Sequence, residues 1–298
     1  MDNLTHTLVG AALAEAGLKR RTTLGAATLM IGANFPDIDV IAVPLGVGIE
    51  VRRGVTHGFL ALAVLPFVLA GIMWLWDSQV RRRRDRGAAP ADFRQLVILA
   101  AISIATHPTL DFMNTYGMRW LMPFVDKWYY ADGLFIVDVW MILMLVAGIV
   151  WSRRTNHPRW ARVALLGVVA YTTAMLLVTS LGRMRTTSAF PGRRLMVEPQ
   201  MLVPWRRDVL VEQDDFYQFG TYTPFQGLDM GARARGLAKG DRNPAVARAR
   251  ELPTVRPFLR WVRFPMYNVV SENGVTYVWI SDARYKGAGW AVVEVALP

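Results

Sequence analysis

The chain has 298 residues, no cysteine, 53% apolar residues and a formal net charge of +11. Without cysteine there are no disulfides, thiolate metal sites or cysteine nucleophile, so any metal must be held by His, Asp, Glu or backbone oxygen. The basic excess is mostly arginine with no nucleic-acid motif beside it, so no nucleic-acid partner is expected, and it fits positive loops retained on the cytoplasmic face of a membrane.

In chain order, the N-terminus lacks the basic start and small-residue cleavage site of a signal peptide, carrying Asp2 and His6 instead. Leu4–Leu18 and Thr22–Phe35 then predict a tight helical hairpin turning at Lys19, Arg20 and Arg21. Both helices sit near the lower length limit for a span. Their many Gly and Ala residues suit close packing inside a membrane bundle. Phe59–Trp76, Leu134–Trp151 and Val163–Leu181 are long enough to cross a bilayer, and Leu96–Thr109 extends naturally through Met113.

Charge predicts the topology. Three loops carry 13 basic residues: Lys19–Arg21, Arg81–Arg86 with Arg94, and Arg153, Arg154, Arg159 and Arg162. The alternate loops hold only Arg52, Arg53, Arg119 and Lys127. The first set belongs in the cytoplasm and the second outside, which gives about six helices with both termini on the outer side of a bacterial inner membrane.

After Leu181 the pattern changes to short alternating runs rich in β-branched and aromatic residues: Asp208–Gln213, Phe216–Tyr222, Phe258–Val270, Val275–Ile280 and Ala291–Leu297. Ser271–Gly274 reads as a hairpin turn, and Asn243–Glu251 as a short helix. The expected organisation is an all-α polytopic membrane helix bundle over residues 1–181, followed by a small β-rich soluble domain over 182–298 on the periplasmic or extracellular side.

Three of the four histidines directly follow threonine: Thr5-His6, Thr56-His57 and Thr106-His107. The topology puts all three at outer helix ends, where Thr5 and Thr56 are expected to serve as N-caps. Asp37 and Asp39 follow the second helix, His107 and Asp111 are four apart on one helical face, and Asp132 and Asp138 flank the entry to the fifth helix. Ionisable groups at membrane depth are costly and usually face a functional interior. Taken singly, each has a plainer role: a turn, a helix cap or a bond to a neighbouring helix. Their convergence on one side, opposite a side that is almost purely arginine, points to metal. Imidazoles mixed with carboxylates suit one or two ions of zinc, or of manganese or iron, better than calcium or magnesium. No Gly-x-Ser-x-Gly elbow is present, so serine catalysis is not supported.

The motifs THTLVGAALAEAGL, GANFPDIDV, RRGVTHGF and HPTLDFMNTYG, in this order and with ADGLFIVD after them, resemble the YdjM-like family of predicted membrane-bound metal-dependent hydrolases. The tail segments PWRRDVLVEQDDFYQFGTY and FLRWVRFP are similar to that family's soluble part. The resemblance implies a metal site, carried onto His6, Asp37, Asp39, His57, His107 and Asp111. The chain departs from the pattern at Gly58, where a serine is expected.

These observations lead to an expected metal-assisted hydrolysis of a lipid or lipid-linked phosphoester or ester at the bilayer surface. Asp132 is the preferred general base with Asp138 as the other candidate, and Arg52, Arg53 and Asn114 are candidates for binding substrate. The rival is a non-enzymatic membrane protein whose ion only locks helix ends and whose tail binds a partner. A metal-ion transporter would need ligands near mid-bilayer, and these gather at one face.

Overall fold

The computed structural model describes residues 1–45, 51–231, 236–285 and 291–297. Helix α1 (Asn3–Glu15) starts at Asp2, whose carboxylate accepts from the Thr5 amide at 3.0 Å and the Thr5 hydroxyl at 2.6 Å. The expected Thr5 cap is therefore displaced: an aspartate three residues upstream takes the orphan amide, and the helix begins one turn earlier. A 3-10 turn, Leu18–Arg21, leads to α2 (Gly25–Gly32). A Cβ on Gly10 would stand 2.5 Å from the Leu29 carbonyl oxygen, so α1 and α2 cross backbone against backbone. That contact is what the small residues permit.

A 3-10 stretch, Phe35–Leu45, follows α2, because Pro36 and the aspartates after it cannot prolong the α-helix. Helix α3 (Phe59–Trp76) starts at Gly58, not at Thr56, and runs on through a π-helical turn, Asp77–Arg81, to Arg84. Asp92 caps α4 (Phe93–Phe112) through the Gln95 amide at 3.0 Å. Helix α4 passes through Pro108 without ending. Helix α5 (Val139–Thr155) begins later than the apolar run from Leu134 implies, because Asp138 is its cap and Leu134 pairs with Asn114. Helix α6 covers Arg159–Ala189.

Three of these helices, Phe59–Arg84, Phe93–Phe112 and Arg159–Ala189, are long and apolar enough to cross a membrane. The first two helices are not: their 13 and 8 residues reach about 20 and 12 Å at the α-helical rise, against a hydrocarbon core of about 30 Å. Packing tells the same story as length. Leu69, Ala70, Leu96, Ala100 and Ile104 are buried between α3 and α4. Phe67, Val68 and Ile72 on α3, Leu143 and Val146 on α5, and Leu166 and Val169 on α6 are exposed. A bundle in water would not leave so many large apolar side chains outside. Lipid is the solvent that suits them, and this is a membrane protein.

The chain forms two compact units, Met1–Leu177 with Pro199–Pro204, and Val178–Glu198 with Trp205–Pro298. In the second, β1 (Leu195–Pro199), β2 (Arg207–Glu212), β3 (Phe216–Thr223), β4 (Gly227–Asp229) and β5 (Leu237–Ala238) form one sheet, with β3 antiparallel to β2, β4 and β5. Helices α7 (Pro244–Glu251) and α8 (Arg256–Trp261) precede an antiparallel sheet of β6 (Pro265–Glu272), β7 (Val275–Asp282) and β8 (Val292–Leu297). The strand expected over Phe258–Val270 is helical in its first part, where Pro257 lies in the first turn and favours helix initiation. Glu272 pairs with Val275 across Asn273 and Gly274, both at positive φ. That is the two-residue hairpin geometry an Asn-Gly pair prefers.

Candidate metal centre

The first unit's candidate site is built from helix ends. The start of α1 brings His6, and the 3-10 stretch after α2 brings Asp37 and Asp39. The turn before α3 brings Arg52, Arg53 and His57, and the last turns of α4 bring His107 and Asp111. His6, His57, His107 and Asp111 are wholly buried, and Asp37 and Asp39 nearly so.

One atom each from Asp37, His57, His107 and Asp111 lies within 4.8 Å of the other three. The Nε2 atoms of His57 and His107 are 3.2 Å apart. Each is 3.7 Å from Asp37 Oδ1 and 3.5 Å from Asp111 Oδ2. A tetrahedron with metal–ligand bonds of about 2.0–2.1 Å has edges of about 3.3–3.4 Å. Five edges of this quartet lie between 3.2 and 3.7 Å, which is the size of such a shell.

Proton placement supports the same conclusion. His107 Nδ1 lies 2.6 Å from the Ala33 carbonyl oxygen, which can only accept, so the proton sits on Nδ1 and the Nε2 lone pair faces the quartet. His57 Nδ1 is 3.0 Å from Thr56 Oγ1 and 3.6 Å from Asp39 Oδ2, which favours the same tautomer. Asp111 Oδ2 accepts no hydrogen bond and has Arg53 Nε beside it at 3.0 Å. Two Nε2 lone pairs thus face two carboxylate oxygens, a donor set that suits a divalent cation. Its mixed nitrogen and oxygen donors fit zinc, manganese or iron.

Surrounding groups hold the quartet. Asp39 accepts from the Arg53 amide at 2.7 Å and from Arg52 Nη1 at 2.5 Å. Arg52 Nη1 also reaches Asp37 Oδ1 at 3.1 Å. Arg53 pairs with Asp111 Oδ2 at 3.0 Å, donates to Asn114 Oδ1 and the Gly117 carbonyl, and lies over the Tyr116 ring. Its backbone is left-handed, at φ 49°, and the Asp39 contact to its amide helps hold that conformation. The Met1 amino group pairs with Asp111 Oδ1.

The remaining candidates divide. His6 stacks on His107 with ring centroids 3.8 Å apart, and its Nε2 is 3.3 Å from Asp111 Oδ1. Neither His6 nor Asp39 contributes an atom to the quartet. Asp39 instead stands behind His57 and the arginines. Asn114 is buried, with Nδ2 lacking a hydrogen-bond partner. Asp132 is buried at positive φ in a segment tied to the end of α4, where the Ala131 and Gly133 amides donate to the Phe112 and Met113 carbonyls. Both Asp138 oxygens are engaged, one by the Met141 amide at 3.0 Å and the other by the Tyr171 hydroxyl at 2.8 Å. That environment makes Asp138 a helix cap. Sequence reasoning did not single out Ala33 and Tyr116: a backbone carbonyl acceptor leaves no residue-type signal, and the tyrosine lies within a motif read for other residues. Gly58 is explained by packing, since a Cβ there would stand 2.5 Å from the Met122 carbonyl oxygen. The serine expected at that position would force the loop away.

The sequence model of the YdjM inner membrane protein family matches residues 1–183, a span that includes the whole quartet. The chain belongs to this family. No curated protein and no solved structure matches it. The YdjM match ends before the strands begin, so the β-rich unit rests on its own geometry.

The division between quartet and surroundings has a measurable consequence. His57→Ala should abolish stoichiometric zinc binding by the purified protein, whereas Asp39→Asn should weaken it by about 10–100-fold, as loss of an outer partner does. Equal, complete loss in both variants, in folded protein, would make Asp39 a ligand.

Proposed function

We propose that this protein is a membrane-bound metal-dependent hydrolase acting on a lipid or lipid-linked phosphoester or ester. The observation that carries the reading is the convergence of four buried donor atoms at helix ends, with Asp37 also lining an open cleft. When bound, a zinc or similar divalent ion supplies a Lewis acid that polarises a phosphoryl or carbonyl oxygen and acidifies water. Asp37, His57, His107 and Asp111 hold it, while Ala33, Thr56 and Asp39 orient the two imidazoles. Arg52, the more exposed of the two arginines, takes a substrate oxyanion, and Arg53 balances Asp111. The Asn114 amide donates to the substrate. Asp132 removes the proton from the attacking water, and Asp138 takes no catalytic part. His6, beside Asp111 Oδ1, offers the beginning of a second metal position.

Four protein ligands also complete a tetrahedral shell, the arrangement of structural zinc. This favours a second reading, in which the ion locks helix ends and the β-rich unit binds a partner. Hydrolysis separates the two. Asp132→Asn should keep its metal and slow turnover of lipid phosphoesters or esters by about 10²–10⁴-fold, the usual worth of a general base. Metal-loaded, folded protein inactive across phospholipid, lipid-linked phosphate and ester panels would give the second reading the field.

We further propose a multi-pass topology with the β-rich unit on the periplasmic side. Arg153 pairs with Glu15, and Arg162 donates to the Ala16 carbonyl, so the Lys19–Arg21 turn lies in the arginine layer opposite the quartet. The α1–α2 pair returns to its starting side, and in this topology the 17-residue α5 crosses together with α3, α4 and α6, so an even number of spans brings the chain back to the side on which it begins. Reporter fusions in the Arg81–Arg94 loop should report cytoplasm, and fusions at the C-terminus should report periplasm. A cytoplasmic C-terminus would contradict this topology.

A further inference from the structure

Between α1 and the end of α2 lies an open cleft of about 530 Å³, lined by Asn3, Thr7, Met30, Ile31, Asn34, Phe35, Asp37 and Ile38. Its two sides differ in chemistry. Asn3 and Thr7 are four apart on one face of α1, and Thr7 Oγ1 accepts from Asn34 Nδ2 at 2.9 Å. Asn3 Nδ2 reaches Asp37 Oδ2 at 3.4 Å, so this polar floor leads to the carboxylate whose other oxygen belongs to the quartet. Asn34 Oδ1 is buried beneath this floor without a hydrogen-bond partner. The opposite side is apolar. Ile31 and Ile38 are exposed there, and the exposed surface continues through Val40 and Ile41.

A polar floor ending at a metal-ligating carboxylate, under an apolar wall continuous with lipid-facing surface, fits an amphiphile better than a soluble ester. We propose that this cleft is a lateral binding site for one membrane phospholipid. Its acyl chain lies along Ile31 and Ile38, and its headgroup runs over Asn3, Thr7 and Asn34 toward Asp37 and Arg52. The phosphate of that headgroup faces Arg52. The inference rests on the hydrolase reading for what then happens at the quartet, but lipid occupancy of the cleft is a separate fact.

Photolabelling tests it. The zinc-loaded full-length protein is reconstituted in vesicles of phosphatidylethanolamine and phosphatidylglycerol, with a trace of phosphatidylglycerol bearing a diazirine high on one acyl chain. Adducts are then mapped by peptide mass spectrometry. Labelling should concentrate on Asn3–Thr7 and Met30–Ile38, including the polar floor, which bulk acyl chains have no reason to seek. Ile38→Trp should remove that labelling and leave zinc content unchanged. Val68→Trp, on the exposed face of α3, should do neither. Adducts spread over α3 and α6 without concentration at the cleft, or labelling untouched by Ile38→Trp in folded protein, would overturn the proposal. Cleft labelling without hydrolysis of any lipid would leave this site standing and remove the hydrolase reading.

Discussion

The structure of the first unit depends on burying an ionised carboxylate. Asp111 is fully buried at the last turn of α4, and an isolated ion there costs several kcal/mol even after relaxation. Two cations answer that cost: Arg53 pairs with one oxygen and the Met1 amino group with the other. The helix ends converge because Asp111 is otherwise untenable, and their converging brings the lone pairs of His57 and His107 to one point. A divalent cation at that point would compensate the buried charge more fully than the arginines can.

The arrangement also explains why the surroundings are so heavily bonded. Asp39 gathers Arg52, the Arg53 amide and His57, which fixes a strained residue and an imidazole together. Outer partners of this kind set ligand orientation and basicity. Tight crossings at Gly10 and Gly58 hold the backbone to distances that larger residues would not allow. Rigid helix packing, an outer layer of hydrogen bonds and an inner set of donors therefore form one construction, with Asp37 at its edge beside the cleft.

Much of this was legible in the sequence, for physical reasons that can be named. The Thr-His pairs and the His107–Asp111 spacing are local, and helical periodicity turns them into one face. The apolar run Phe59–Trp76 matches its helix residue for residue, because a lipid-facing helix has to be continuously apolar. The hairpin at Asn273-Gly274 follows from two residues that tolerate positive φ. What sequence left open is tertiary. That Asp37 enters the quartet while Asp39 stands behind it depends on which face of a 3-10 stretch meets α4. Asp138 caps α5 through the Met141 amide three residues on, while its other oxygen is taken by the hydroxyl of Tyr171, 33 residues away, a distance no local pattern spans. Apolar composition overstated the first two helices, where Gly and Ala serve close packing rather than length.

The central claim is that Asp37, His57, His107 and Asp111 form one nitrogen- and oxygen-donor shell for a divalent ion. X-ray absorption on zinc-reconstituted, detergent-solubilised protein measures that shell directly. The account predicts one tightly bound zinc with a first shell at about 2.0–2.1 Å and the outer-shell scattering pattern of two imidazoles. Protein that is folded but retains no stoichiometric metal, or a shell of oxygen donors without imidazole scattering, would contradict it.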